Sequence, residues 1–125
     1  MPWFAVAVGG ALGALARYGS VRLLTVWLGP AFPYGTLVVN VLGSGIAGWL
    51  FARMVESGGG SDSMRALLIV GFLGAFTTFS AFSVETLRLA QAGHTGIAVL
   101  NVLLNIVLCL GAAALGMGLG RAVAG

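Results

Sequence analysis

Lysine is absent from the 125 residues and acids number only three, so charged side chains make up just 7% of the chain. Soluble domains carry roughly 25% charged residues, and a water-facing surface cannot be built from so few. The six basic residues are all arginine and give a formal charge of +3, but they stand singly along the chain. No cluster can neutralise a run of phosphates, which excludes nucleic acid as a partner. Cysteine occurs once, as Cys109 in an apolar run, with no second thiol for a disulfide or a metal cluster. His94, the one histidine, lies beside Gly93 without a second His or Cys at ligand spacing, and reads as a solvated loop residue.

What is present is apolar. Hydrophobic residues make up 59% of the chain, and the mean hydropathy is +1.07. A bilayer core about 30 Å thick is crossed by about 20 helical residues, and four runs of that length are separated by turn chemistry. They extend from Trp3 to Leu28, Gly35 to Val55, Met64 to Ala90 and Thr95 to Arg121, with breaks at Gly29-Pro30, Glu56 to Ser63 and Gln91 to His94. The expected fold is an all-α membrane protein of four transmembrane helices, forming a single domain over residues 1–125. Ala14-Leu15-Ala16 mimics a signal-cleavage site, but no basic side chain precedes the apolar run, and that run continues past Arg17. The first segment is therefore expected to be a retained span starting at an interfacial Trp.

With four spans, both chain ends and the Gly-rich loop share one membrane face. That face carries Arg53, Arg65 and Arg121, against Arg22 and Arg88 opposite, and Glu56 and Asp62 offset part of the difference. The positive-inside bias is weak, so the chain can insert either way up. Glycine is plentiful, at 21 residues. Gly9, Gly10 and Gly13, like Gly43, Gly45 and Gly48, recur on helix faces, where small residues let helices approach closely in lipid.

Polar groups inside the spans are the candidates for chemistry. Asn40 lies in the second span, where its amide must find partners, and it reads either as interhelical glue or as a ligand site. Asn101 and Asn105, one turn apart on the fourth span, carry the same two readings. The third span holds Gly71-Phe72-Leu73-Gly74-Ala75-Phe76-Thr77-Thr78-Phe79-Ser80-Ala81-Phe82-Ser83. Glycines loosen this segment, hydroxyls can bond freed backbone groups, and Phe79 and Phe82 point to nearly the same side. It reads as a helix broken near midmembrane, the device by which membrane proteins expose carbonyls and amides to ions, or else as a small-residue packing face. Arg17 lies about 11 residues, roughly 16 Å of helix, from the far end of its span, too deep to reach that interface comfortably. An intramembrane charge of this kind marks a functional position. Glu85, one turn beyond Phe82, either marks the mouth of the same path or pairs with Arg88.

Three blocks in order, Gly9 to Tyr18 (GGALGALARY), Gly35 to Asn40 (GTLVVN) and Gly71 to Glu85 (GFLGAFTTFSAFSVE), resemble the Fluc, or CrcB, family of microbial fluoride channels. The resemblance covers nearly the whole chain. It implies an antiparallel, dual-topology homodimer in the prokaryotic plasma or inner membrane, embedded in lipid, with two fluoride pores along the subunit interface. By that resemblance Asn40 donates its amide to fluoride, and Phe79 and Phe82 present ring edges to the anion. Ser80 and Cys109 are further pore candidates, and Arg17 and Glu85 belong to the vestibules. The carbonyls of Gly74 and Thr77 hold a structural sodium ion at the dimer centre. A departure lies in the fourth span, where Cys109 stands in place of a serine that many relatives carry and Ala113 replaces a second hydroxyl.

Two other classes compete. A small proton-coupled exporter of multidrug type needs a membrane carboxylate for its relay, yet the first two spans contain no Asp or Glu, and Glu85, near the end of the third, is poorly placed as a central relay. A non-conducting assembly subunit accounts for the packing glycines but gives no reason for the Asn, the break and the aligned Phe pair. Neither alternative is an enzyme, and neither is the channel.

Overall fold

The computed structural model describes residues 2–124. Helix α1 (Pro2–Leu28) ends at Gly29, whose φ of 84° suits glycine. Pro30 and Pro33 then prevent the helix from resuming until α2 (Tyr34–Leu50), which continues as a π-helical stretch, Phe51–Glu56. A second positive φ, at Gly58, turns the chain. Ser61 caps the next helix by accepting a hydrogen bond from the Met64 amide at 3.1 Å.

The third span contains α3 (Asp62–Arg65), a π-helical stretch (Ala66–Leu73), α4 (Gly74–Phe76) and α5 (Phe79–Gln91). Between α4 and α5, Thr77 and Thr78 are extended, with φ, ψ of −89°, 156° and −150°, 118°. Gly93, at φ 88°, turns the chain into α6 (Thr95–Ala124). No strand occurs among the described residues.

Among the described residues, four segments are long and apolar enough to cross a membrane: Pro2–Leu28, Tyr34–Glu56, Asp62–Gln91 and Thr95–Val123. Glycine decides how they pack. A Cβ on Gly9 or Gly13 of α1 would overlap the carbonyls of Leu67 and Phe72, which brings α1 against the third span. A Cβ on Gly48 of α2 would overlap the Ala113 carbonyl, and one on Gly116 of α6 the Gly45 carbonyl, so α2 and α6 touch backbone to backbone. Helices in lipid gain little hydrophobic energy by associating, and close contact of this kind supplies the packing energy instead.

The core is small: Leu50, Met54 and Leu73 are buried against Ala47, Leu68, Ile69 and Phe72. Outward faces carry Leu12, Leu15, Val26, Leu103, Val107 and Leu110, all exposed on the isolated subunit. Such a surface suits lipid, and Trp3 and Trp27 stand near the two ends of α1, where aromatic belts form. The chain is a multi-pass integral membrane protein. At the end of the bundle carrying the Gly-rich loop, both acids are paired: Arg121 grips Glu56 through two contacts of 2.8 and 2.9 Å, and Arg65 pairs with Asp62.

Candidate functional site

An extended pair of residues inside a membrane span leaves backbone groups without helical partners, and each unpaired group costs several kcal/mol in lipid. Neighbouring spans supply the partners. The Thr78 N–H donates to Asn40 Oδ1 at 2.8 Å, and Asn40 Nδ2 donates to the Thr78 carbonyl at 3.0 Å. One side-chain amide of α2 thus takes the place of two helical partners. The Ala75 carbonyl, near the end of α4, accepts from Arg17 Nε of α1 at 3.0 Å. This gives the half-buried guanidinium a partner and gives the helix end a positive charge, which its dipole favours.

Threonine hydroxyls complete the interruption. Thr77 Oγ1 donates to the Leu73 carbonyl at 2.9 Å, and Thr78 caps α5 by accepting from the Ala81 N–H at 3.1 Å. Room for Thr77 comes from Gly43, where a Cβ would overlap the Thr77 Cγ2 methyl. In a continuous helix the Thr78 and Ala81 amides would donate to the carbonyls of Gly74 and Thr77. Here they donate to Asn40 and to the Thr78 hydroxyl instead, so both carbonyls lose their helical donors.

A cavity of about 560 Å³ opens beside the interruption. Asn40, Gly74, Thr77, Phe79, Phe82 and Cys109 all line it, together with Ser44, Thr78 and Asn105. The rings of Phe79 and Phe82 lie 5.3 Å apart at 55°. The rings are tilted rather than stacked, and aromatic edges carry partial positive charge. Phe79 is 77% exposed on the isolated subunit.

Other candidates lie elsewhere. Ser80 is exposed, with its hydroxyl 3.3 Å from that of Thr78, and does not line the cavity. Arg17 serves the Ala75 carbonyl. Glu85 lines a separate cavity of about 380 Å³ with Arg88 and the Pro30 to Pro33 loop. Glu85 forms no ion pair with Arg88: its Oε2 accepts from Thr36 Oγ1 of α2 at 3.0 Å, and its buried Oε1 has no partner among the described residues. Ser44 was not anticipated, although it stands one turn after Asn40 and so shares its helix face.

These features define a class: a small membrane protein of four spans whose third span gives up helical hydrogen bonding beside a cavity lined by an amide and paired aromatic rings. The chain belongs to the family described as CrcB-like protein, Camphor Resistance (CrcB), whose profile matches residues 4–117. It is 50% identical over 118 residues to a protein of Magnetococcus marinus named fluoride-specific ion channel FluC, covering 94% of this chain and 96% of that one. A protein of the same name from Aeromonas salmonicida is 51% identical over 117 residues, covering 94% of each chain. Another, from Coxiella burnetii, is 46% identical over 117 residues, covering 93% and 94%.

Proposed function

We propose that the chain is a fluoride-selective ion channel, not an enzyme, that lets fluoride leave the cell passively and so lowers its cytoplasmic concentration. The names carried by relatives at about half identity over nearly full length support this reading. The observation that carries it is the meeting of Asn40 with the Phe79 and Phe82 rings on one cavity at the interrupted third span. A small, strongly hydrated anion sheds water only where donors replace it, and it leaves again only where those donors are weak. An amide N–H and aromatic edges meet both conditions, whereas a full cation would hold the ion. Asn40 Nδ2 gives its two protons to the Thr78 carbonyl at 3.0 Å and to Asn105 Oδ1 at 3.3 Å, and fluoride would take over the longer of these bonds. Cys109, whose thiol is a weak donor, extends the lining along α6.

In this reading two subunits pair antiparallel, each pore being completed at their interface. The near-even division of arginines between the two membrane faces supports dual topology, and the exposed Phe79 ring supports a partner surface there. The interrupted third spans then cross near midmembrane. The carbonyls of Gly74 and Thr77, deprived of their helical donors, fit a hard monovalent cation, since they are neutral oxygens with no acid beside them. Sodium held there would neutralise converging carbonyl dipoles and fasten the dimer.

The test is efflux from liposomes containing only the purified protein, in fluoride and in chloride. Rapid fluoride loss with chloride retained is expected. Equal loss of both ions would overturn the selectivity, and no loss of either would favour a non-conducting subunit.

A further inference from the structure

The fourth span is apolar along most of its length, yet it buries two amides, Asn101 at 1% exposure and Asn105 at 6%. Neither residue is needed to span a membrane, and burying an amide is costly unless it is bonded. We propose that Asn105, Asn101 and Thr86 form a positioning chain that holds the Asn40 amide and the Phe79–Phe82 turn in their working geometry; this rests on the fluoride-pore reading.

The chain runs in one direction. Asn40 Nδ2 donates to Asn105 Oδ1 at 3.3 Å, and Asn105 Nδ2 donates to the backbone and side-chain oxygens of Asn101 at 2.9 and 3.1 Å. Asn101 Nδ2 donates to Thr86 Oγ1 at 2.9 Å, and the Thr86 hydroxyl donates to the Phe82 carbonyl at 2.7 Å. Every side chain accepts from the one before and donates to the one after.

Backbone groups at both ends enforce this polarity. Asn40 must turn Oδ1 to the Thr78 N–H, which leaves its Nδ2 facing Asn105. Thr86 has one proton, and giving it to the Phe82 carbonyl requires its oxygen to receive the Asn101 amide. Flipping either middle amide would set N–H against N–H and oxygen against oxygen. The sequence of donors is therefore fixed by the hydrogen bonds themselves, independently of how amide orientations are assigned.

The two anchors, Thr78 and Phe82, bracket the first turn of α5, which carries both phenyl rings. Thr86 and Asn101 do not line the cavity, so they act on it only through Asn105 and the Phe82 backbone. A packing role alone would hold α5 to α6 equally well with apolar side chains. It would not require a directed chain that begins and ends at cavity residues.

The test uses Thr86, the link farthest from Asn40. Thr86→Val keeps the shape and removes both the donor and the acceptor, whereas Thr86→Ser keeps both. In liposomes, Thr86→Val is expected to lower fluoride efflux by about threefold or more, the factor one average interhelical hydrogen bond in a membrane is worth. Discrimination against chloride should fall with it, and Thr86→Ser should restore both. Should the valine variant fail to fold, Thr86→Ala tests the same loss without the branched methyl. Wild-type efflux and selectivity in a folded Thr86→Val or Thr86→Ala protein would overturn the proposal. If the wild type itself passes no fluoride, the pore reading fails, and the chain is judged by hydrogen exchange of the Thr78 amide. Faster exchange in Thr86→Val would then support the positioning role, and unchanged exchange would overturn it.

Discussion

In the proposed reading Asn40 does two jobs that substitution can separate. Asn40→Leu removes both bonds to the Thr78 backbone, at 2.8 and 3.0 Å. A buried backbone group left unpaired costs about 1–3 kcal/mol, and the adjoining cavity, wide enough for water to reach the freed groups, would hold the total for the pair near the lower end, about 2 kcal/mol. At 1.36 kcal/mol per decade this exposes the Thr78 amide about 30-fold more often. Asn40→Asp behaves differently. Its carboxylate still accepts from the Thr78 N–H, so protection of that amide should persist. A fluoride ion about 4 Å from an ionised aspartate, at an effective dielectric constant near 20, is repelled by about 4 kcal/mol, enough to lower occupancy about a thousandfold. Hydrogen exchange by NMR in micelles reads the first effect and liposome efflux the second. Unchanged Thr78 exchange in Asn40→Leu would refute the account of the interruption, and wild-type efflux through Asn40→Asp would refute the donor role.

Replacing Phe79 or Phe82 with Ile keeps bulk but removes the ring quadrupole, so efflux should fall by tenfold or so, for about 1.4 kcal/mol of lost ring-edge attraction, while the thermal midpoint moves little; parallel losses would reduce the rings to packing. Gly43→Ala should push Thr77 out of place and cut efflux sharply, and adding Thr77→Ser, which lacks the overlapping methyl, should recover much of it; a double variant no better than Gly43→Ala would show that another contact governs the site. A tag after Arg121 should be reachable from both sides of the membrane in whole cells, and labelling from one side alone would exclude the antiparallel pair. Replacing sodium with a large organic cation should weaken the dimer in detergent, as read by sedimentation, and dimerisation indifferent to sodium would remove the ion from the account.

Four apolar helices were legible because lipid demands length and turns demand glycine or proline. Gly29, Gly58 and Gly93, the three glycines with positive φ among the described residues, all fall in the breaks visible in the sequence. Asn40 and Arg17 were legible as polar groups that had to find partners. The partners themselves were not, since Ala75 is 58 residues from Arg17 and Thr78 is 38 from Asn40, and a carbonyl acceptor leaves no mark in composition. Glu85 shows the limit most clearly: helical spacing offered it Arg88 as a partner, and tertiary packing gave it Thr36 instead. The π-helical stretches at Phe51–Glu56 and Ala66–Leu73 left no trace either, because an apolar run reads alike whether its bonds skip four residues or five. Ser44 could have been found from its one-turn spacing to Asn40.

The third span cannot hold its interruption unaided. Its apolar window has a mean hydropathy of 2.0, and alone in a bilayer it would keep every backbone bond as an unbroken helix. The groups that open it, Arg17 and then Asn40 with Gly43, belong to segments the ribosome makes earlier. Biogenesis can therefore proceed without exposing raw backbone to lipid: the third span enters as an ordinary helix, meets a guanidinium and an amide already in place, and exchanges internal bonds for theirs. A version of the chain permuted so that the third span is made first would have to wait for its wedge, and the straight helix formed meanwhile is the form membrane quality control would see.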